Sequence, residues 1–388
     1  ISHLSSHIPH LTFVMRLSLG ISTCPNDTYI YEALVAGLEN SPFEWDVHFA
    51  DVQTLNEMII AGKLDVAKVS AQVYPKIRDN YVCLGCGGAI GYGCGPLLLS
   101  SVSGAFDPAK ETVLPGANTT AALLFRFWFA REFGVKSGRP GACAPQVRYA
   151  LFNEVYSSLL NKSAVQGVTI HEHRFTWKRD GLHMLQDLGA YWEQETGSPI
   201  PLGIAVARRS LSYELVRNIE KEIRDSLSMA RKRSELVTPF IREKAQISDE
   251  KVIESHIKMF VNDFSESVGE AGRRALESLW GIADCLLPVN NNKNCVIIRK
   301  RKIVFTKLRI FAKNFIYFPK STFFGSSLMS LVNDLDLEVE NFKREYEKFE
   351  RGNKSAGTRA RKVLQDIKKT CQEIRVSIQG AKKEEEKS

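Results

Sequence analysis

Apolar positions follow two rhythms along the chain. Up to residue 207, short apolar or alternating runs are interleaved with stretches of helical spacing, and Gly, Pro, Asn and Asp mark the joins. Leu17–Ile21 reads as a buried strand, followed by the turn-rich STCPNDT and a helix over Tyr29–Gly37. Trp45–Val52 alternates like a strand, Thr54–Ala61 is helical with Gly62 as its stop, and Asp65–Val69 is a short strand capped into the next helix by Ser70. Gly85–Gly95 is too rich in glycine for anything but loop. Strands then follow at Leu97–Ser100, Glu111–Leu114, Val147–Phe152, Gly167–His171 and Leu202–Ala207, with helices over Ala121–Phe129, Glu154–Leu160 and Leu182–Tyr191. Strand–helix alternation of this kind predicts an α/β fold with largely parallel pairing.

From 210 to 287 the pattern is helical throughout, with Leu215, Ile219, Ile223 and Leu227 along one face. After Pro288 the character changes. Residues 288–328 read as a basic linker or translated spacer, with nine basic groups between Lys293 and Lys320 and no acid. From Met329, Leu331, Leu335, Val339, Phe342, Tyr346 and Phe349 define one amphipathic helix. RGNKSAGT turns the chain, and Val363, Leu364, Ile367, Cys371, Ile374 and Ile378 define a second, so 329–388 is predicted to be a helical hairpin.

Charge sharpens this division. The net charge of +8 is carried by residues 289–388, which hold 23 Lys+Arg against 12 Asp+Glu, while the body is slightly acidic. A polyanionic partner is therefore a question about the tail. The eight cysteines have no disulfide-framework spacing, and the lone Cys83–Cys86 pair lacks a second pair at zinc spacing. No apolar run reaches the length of a membrane span. Residues 1–14 precede the first Met and lack the pattern of a signal peptide, so they are read as an upstream extension and the protein as cytoplasmic.

Three segments carry candidate chemistry. AKVSAQVY places Lys68, Val69 and Ser70 at a strand-to-helix junction, and LPGANTTAALL places Thr119 and Thr120 at another. Hydroxyls and free N–H groups at a helix start suit a carboxylate or phosphate, although for either junction alone a plain N-cap is the simpler account. VTIHEHRFTW ends an apolar strand on His171, which puts an imidazole at a cleft mouth as a candidate general base. His173 shares its face if the strand continues, and Glu172 with Arg174 reads as an ion pair framing the site. HExH is not the HExxH of zinc proteases. Asn26 and Asp27, after the first strand, and Gly91 and Gly93, in the glycine-rich stretch, complete the candidate cleft, although taken singly Asn26 and Asp27 read more simply as turn formers. No metal or dinucleotide signature emerges.

STCPNDT, DVAKVS, GYGCGPLLLS, LPGANTTAALL, IHEHRFTW, DLGAYWEQETGSPIPLG and SHIKMFVNDFS occur in this order. As a set they resemble the 1,4-dihydroxy-6-naphthoate synthases of the futalosine route to menaquinone, over residues 15–287. The resemblance implies a two-lobed periplasmic-binding-protein-like (type II) fold, with 15–100 plus 205–287 as one lobe and 101–204 as the other. The crossings are expected near Leu97–Ser100 and Leu202–Ala207. It implies a cofactor-free lyase that cleaves cyclic dehypoxanthine futalosine to 1,4-dihydroxy-6-naphthoate and dihydroxyacetone. Lys68, Val69, Ser70, Thr119 and Thr120 would contact the substrate, with His171 as base. The loop 134–146 is longer than the pattern leads one to expect. A solute-binding protein of the same fold, without catalysis, is the alternative. Residues 329–388 resemble the helical part of chlamydial histone H1-like proteins, which implies nucleic-acid contact through Lys343, Arg344, Lys354, Arg359, Arg361, Lys362, Lys368 and Lys369, or simply a solvated charged face.

Overall fold

A computed structural model describes residues 14–133 and 145–286, and most of the segment from 335 to 385. The upstream extension apart from Val14, nearly all of the 134–146 loop, the basic spacer 288–328 and the start of the first tail helix lie outside the described residues.

The first sheet is laid down by β1 (Met15–Ile21), α1 (Pro25–Ala36), β2 (Phe43–Phe49), α2 (Val52–Ile60) and β3 (Val66–Ser70), with β1 parallel to both β2 and β3. Local chemistry fixes these joins. Pro25 opens α1, where its missing N–H costs nothing. Asp51 caps α2 by accepting from Gln53 N at 2.7 Å. Gly62 ends that unit at a φ of +68°. A single 3-10 turn, Ala71–Val73, then leads through α3 (Tyr74–Ile77) to β4 (Tyr81–Cys83) and β5 (Ala89–Gly91).

The second sheet follows from β6 (Leu97–Ser100), β7 (Thr112–Leu114), α4 (Thr120–Glu132), β8 (Val147–Tyr149), α5 (Phe152–Leu160), β9 (Gln166–Thr169), α6 (His173–Thr176), β10 (His183–Asp187) and α7 (Leu188–Thr196). Its strand order is β10-β6-β9-β7-β8. The chain returns to the first sheet as β11 (Ile200–Arg208), antiparallel to β3, β4 and β5, giving the order β2-β1-β3-β11-β4 with β5 also on β11. Helices α8 (Tyr213–Lys232), α9 (Pro239–Lys244), α10 (Glu250–Phe260), α11 (Asp263–Glu266) and α12 (Gly269–Leu286) complete the first lobe. The result is the two-lobed α/β architecture expected.

Several boundaries differ from the pattern-based reading. β4 and β5 are three-residue strands, and β5 lies inside the stretch read as loop. The span read as a helix over Leu182–Tyr191 opens with strand β10, whose exposed edge position hides its alternation. The crossings also move. β6 pairs wholly within the second sheet and β11 wholly within the first, so the chain passes between lobes at residues 92–96 and 197–199 rather than along the strands.

The lobes share apolar packing. The residues of α4, TAALLFRFWFARE, are buried on nearly every side, as a helix enclosed by other elements must be. α4 lies against α7 and β9 in its own lobe and against α12 and β11 in the other. The tail forms the expected hairpin, turning at Gly352 and continuing as α13 (Lys354–Glu385). Arg359 Nε donates to Glu345 at 2.6 Å and Thr370 to Glu338 at 3.0 Å, pairings that run in opposite directions from the turn. α13 buries Ala356, Ala360 and Val363, while Leu364, read as part of the seam, is 46% exposed. Among the described residues no helix is long and apolar enough to cross a membrane.

Glycine is required where the first crossing meets α7. A Cβ on Gly95 would stand 2.2 Å from Gly189 Cα, backbone against backbone. Gly95→Ala is expected to lower stability by about 1–3 kcal/mol through overpacking. Gly93→Ala, at a φ of +67° but in open space, should cost about 1 kcal/mol from backbone conformation alone. Urea midpoints of the two variants measure the difference, and equal losses would remove the packing argument.

Candidate active site

A cavity of about 80 Å³ lies where the lobes face each other. Val52, Ser70, Leu202 and Phe260 line it from the first lobe; Thr119, Thr120, Ala121, Ile170 and His171 from the second; Cys94, Gly95 and Pro96 from the crossing. The carboxyl ends of β3 and β9 and the N-terminus of α4 converge on it, the usual placement of ligands in α/β folds.

His171 is not the last residue of a strand. β9 stops at Thr169, and His171 adopts a φ of +58° before α6 begins. A non-glycine residue in this left-handed region carries strain of the order of 1–2 kcal/mol. The turn breaks the strand alternation and sets the imidazole against the cavity. Phe152 packs edge-on to the ring at 4.9 Å, and Cys24 Sγ lies 3.3 Å from Nδ1. Burial lowers the His171 pKa to about 4; Asp27 opposes this shift and Lys68 adds to it. The ring is therefore neutral at physiological pH. The Cys24 thiol is pushed well above its ordinary value, first by burial and then by the nearby Asp27 and Glu172 carboxylates, so it stands as a neutral S–H.

Behind this pair runs a buried polar network. Lys68 Nζ donates to Asp27 Oδ1 at 2.6 Å, and both side chains are almost fully buried. Asn26 Nδ2 donates to the same oxygen at 2.7 Å, and Ser22 Oγ donates to Asp27 Oδ2 at 2.6 Å. Asn26 Oδ1 lies 3.0 Å from Nε2 of His256, a fully buried residue of α10. The His256 ring lies nearly parallel to that of His171, at 15° and 6.0 Å between centroids. Burial holds the His256 pKa well below its ordinary value, and His171 and Lys68 add to the effect. His256 was not singled out from the sequence. Its signal was a histidine on the apolar face of a helix, flanked by Val252, Ile253 and Phe260.

The hydroxyls expected at the two junctions have protein partners. Ser70 does not cap the turn after it; Asn56 Nδ2 donates to its Oγ and Ser70 N donates to Asn56 Oδ1, both at 2.9 Å. Thr119 caps α4, accepting from Ala122 N at 3.2 Å and donating to Gly116 O at 3.0 Å. Thr120 Oγ1 donates to Leu202 O at 2.8 Å across the lobes and accepts from Gln72 N at 3.3 Å. The segment before α4 is held from the other lobe as well. Asn56 Nδ2 donates to Asn118 O and Asn118 N to Gln53 Oε1, each at 2.9 Å. Ser70, Thr119 and Thr120 still line the cavity, and the first N–H groups of α4 have no partner within the helix.

Other expected cleft residues stand back from it. Lys68, Asn26 and Asp27 form the network rather than the wall, and Val69 is buried in the sheet. Asn26 and Asp27 lie in the first turn of α1, not in a loop. Gly91 sits in β5 and Gly93 on an exposed turn; the glycine on the cavity is Gly95. Glu172 and Arg174 do not pair. Arg174 instead donates to Asp187 at 2.6 Å and to Gly95 O at 2.8 Å, because Asp187 caps α7 beside the crossing. Glu172 is buried, which raises its pKa. His173 has left the strand face and stacks on Tyr156 at 3.7 Å. Among the described residues no three His, Cys, Asp or Glu side chains are grouped to hold a metal ion.

Two regions of the chain resemble known proteins. Residues 17–284 match the family model described as menaquinone biosynthesis, and residues 329–384 match that of histone H1-like protein Hc1. A 1,4-dihydroxy-6-naphthoate synthase of Streptomyces coelicolor is 38% identical over 263 residues, covering 68% of this chain and 91% of that protein. One from Thermus thermophilus is 37% identical over 268 residues, covering 69% and 94%. Among solved structures, a protein of Archaeoglobus fulgidus superposes with a TM-score of 0.63 at 24% identity, covering 71% of this chain and 98% of that one. The ligand-binding component of an ABC-type import system of Staphylococcus aureus gives 0.51 at 11% identity, covering 68% and 90%, and supports the periplasmic-binding-protein-like fold. The chain belongs to the menaquinone-biosynthesis family, as a relative of the 1,4-dihydroxy-6-naphthoate synthases, and continues beyond that region into a histone H1-like segment.

Proposed function

We propose that the protein is a cofactor-independent carbon–carbon lyase that converts cyclic dehypoxanthine futalosine to 1,4-dihydroxy-6-naphthoate and dihydroxyacetone, with His171 as general base. The observation that carries this reading is a neutral imidazole on the inter-lobe cavity, opposite Ser70 and beside the N-terminus of α4. A neutral ring accepts a proton from carbon without first losing one to water. The positive end of the α4 dipole suits the substrate carboxylate. Enclosure between the lobes excludes water, and scission is driven by completing the aromatic naphthoate. Ser70, Thr119 and Thr120 contact the substrate on this reading, whereas Lys68 acts behind the wall. The same reading places the enzyme in the cytoplasm, with a small molecule as its partner.

Incubation with cyclic dehypoxanthine futalosine tests this by the appearance of naphthoate absorbance. His171→Ala should lower kcat by about 10²–10⁴-fold. Binding without turnover in the unaltered protein would favour the solute-binding alternative. The acid limb of kcat/KM should fall near the His171 pKa of about 4 rather than at the ordinary value, because only the neutral form acts as base.

Stability should share this pH dependence. Burial lowers the His173 pKa, like that of His171, to about 4. The unfolded chain takes up these protons as pH falls through the ordinary histidine range, while the folded protein resists until about 4. Stability is thus full above the ordinary pKa and declines below it. His173→Phe, which keeps a ring against Tyr156, should make the loss shallower by about 1.4 kcal/mol per pH unit between those limits. Urea midpoints across the range measure it, and an unchanged slope would refute the assignment.

A second reading concerns the tail alone. We infer that residues 329–388 contact nucleic acid, a reading supported by the Hc1 match and by the exposed Lys354, Arg361, Lys362 and Lys368 on α13. Arg359 is held by Glu345 and contributes less. Charge reversal by Lys362→Glu together with Lys368→Glu should weaken a DNA mobility shift and reduce its salt dependence, while leaving lyase activity unchanged.

A further inference from the structure

We propose that His256 is a positioning residue for His171, fixed as its Nε2–H tautomer by the chain Lys68–Asp27–Asn26. The inference rests on the reading of His171 as the base. Donor and acceptor chemistry fixes the polarity of that chain. Asp27, ion-paired to Lys68 at 2.6 Å, presents only acceptor oxygens. The Asn26 atom 2.7 Å from Asp27 must then be its amide nitrogen, which leaves Asn26 Oδ1 facing His256. That oxygen can only accept, so His256 Nε2 carries the hydrogen. Three links, each with one permitted polarity, set the tautomer of a residue that solvent does not reach.

The consequence reaches His171 through the nearly parallel rings. A neutral His256 provides a flat wall that holds the base ring in its left-handed turn. A protonated one would place a cation beside the imidazolium that His171 becomes after taking the substrate proton, and like charges at this separation oppose its formation. The groups around His256 favour neutrality. Lys68 from β3 and His171 from the turn after β9 disfavour a second positive charge, Phe175 and Phe260 are apolar, and the Asp27 carboxylate is already engaged by Lys68, Asn26 and Ser22. Cys24 beside His171 is a neutral thiol, and the Glu172 carboxyl lies near that thiol. The His256 Nδ1 atom is buried and makes no hydrogen bond to another protein atom. Neither His256 nor Asn26 lines the cavity, so neither touches the substrate there.

Two measurements test the proposal. Imidazole nitrogen NMR of the full chain reads the tautomer without activity. The expected result is an Nε2–H signature for His256, unchanged from about pH 8 to about pH 5. An Nδ1–H form, or titration of His256 within that range, would overturn it. The kinetic arm uses Asn26→Asp, which keeps an acceptor for His256 but sets a second carboxylate beside Asp27 and draws a proton onto His256. Expected are a kcat lowered about 10- to 100-fold, KM within about twofold, and an acid limb moved upward in pH. A fully active variant with the unaltered pH profile, or a change in KM alone, would refute the role. If the unaltered protein has no lyase activity, the reading of His171 fails while the NMR result still decides the His256 tautomer.

Discussion

The buried ion pair between Lys68 and Asp27 is the constraint on which the rest of the site depends. Removing two charges from water is expensive, and their attraction offsets the cost only when the remaining lone pairs are also engaged. Here they are, since Asn26 and Ser22 donate to the same carboxylate. The pair ties β3 to the first turn of α1 and thereby fixes the polarity of Asn26. Loss of one partner would strand the other charge in the protein, so this network is rigid by necessity.

The same burial serves two ends at the imidazole. Enclosure keeps His171 neutral, as the proposed base must be, and it also leaves the ring little freedom. The positive φ at His171 is the local expression of that compromise. Extended backbone would carry the side chain on along the strand face, whereas the left-handed turn redirects it to the cavity. Strain at such a position persists only where surrounding contacts over-determine it. Phe152, Cys24 and His256 supply those contacts.

How much was legible in sequence follows from the same physics. The rhythm of β1, α1, β2, α2 and β3 was readable because each element spans enough residues to show a period. β4 and β5 were not, since three residues cannot show alternation, and β10 lies at a sheet edge where both faces look polar. Ser70, Thr119, Thr120 and His171 are legible as cavity residues because junctions between strands and helices have recognisable residue types, although the turn at His171 and the Asn56 partner of Ser70 are not. Lys68, Asn26 and Asp27 were found as a neighbourhood but not as a network, because a pairing across forty residues leaves no local spacing. His256 escaped for a related reason. On its helix it looks like an interruption of the apolar face, and only the fold brings it to Asn26.

Cavity size adds a step that motifs could not. Pockets for drug-sized ligands run to about 300–1,000 Å³, well above the 80 Å³ between these lobes. On the proposed reading, a bicyclic aromatic with a sugar-derived group would enter only when the lobes part. The bonds that close them run through Thr120 to Leu202 and through Asn118 to Gln53 and Asn56. The residues proposed to meet a ligand at the start of α4 are thus adjacent to, and in Thr120 identical with, those that bond the lobes together. A ligand shifts such an equilibrium only by its differential affinity for the two arrangements. Replacing the Thr120–Leu202 bond with one to substrate would couple recognition directly to the opening and closing of the site.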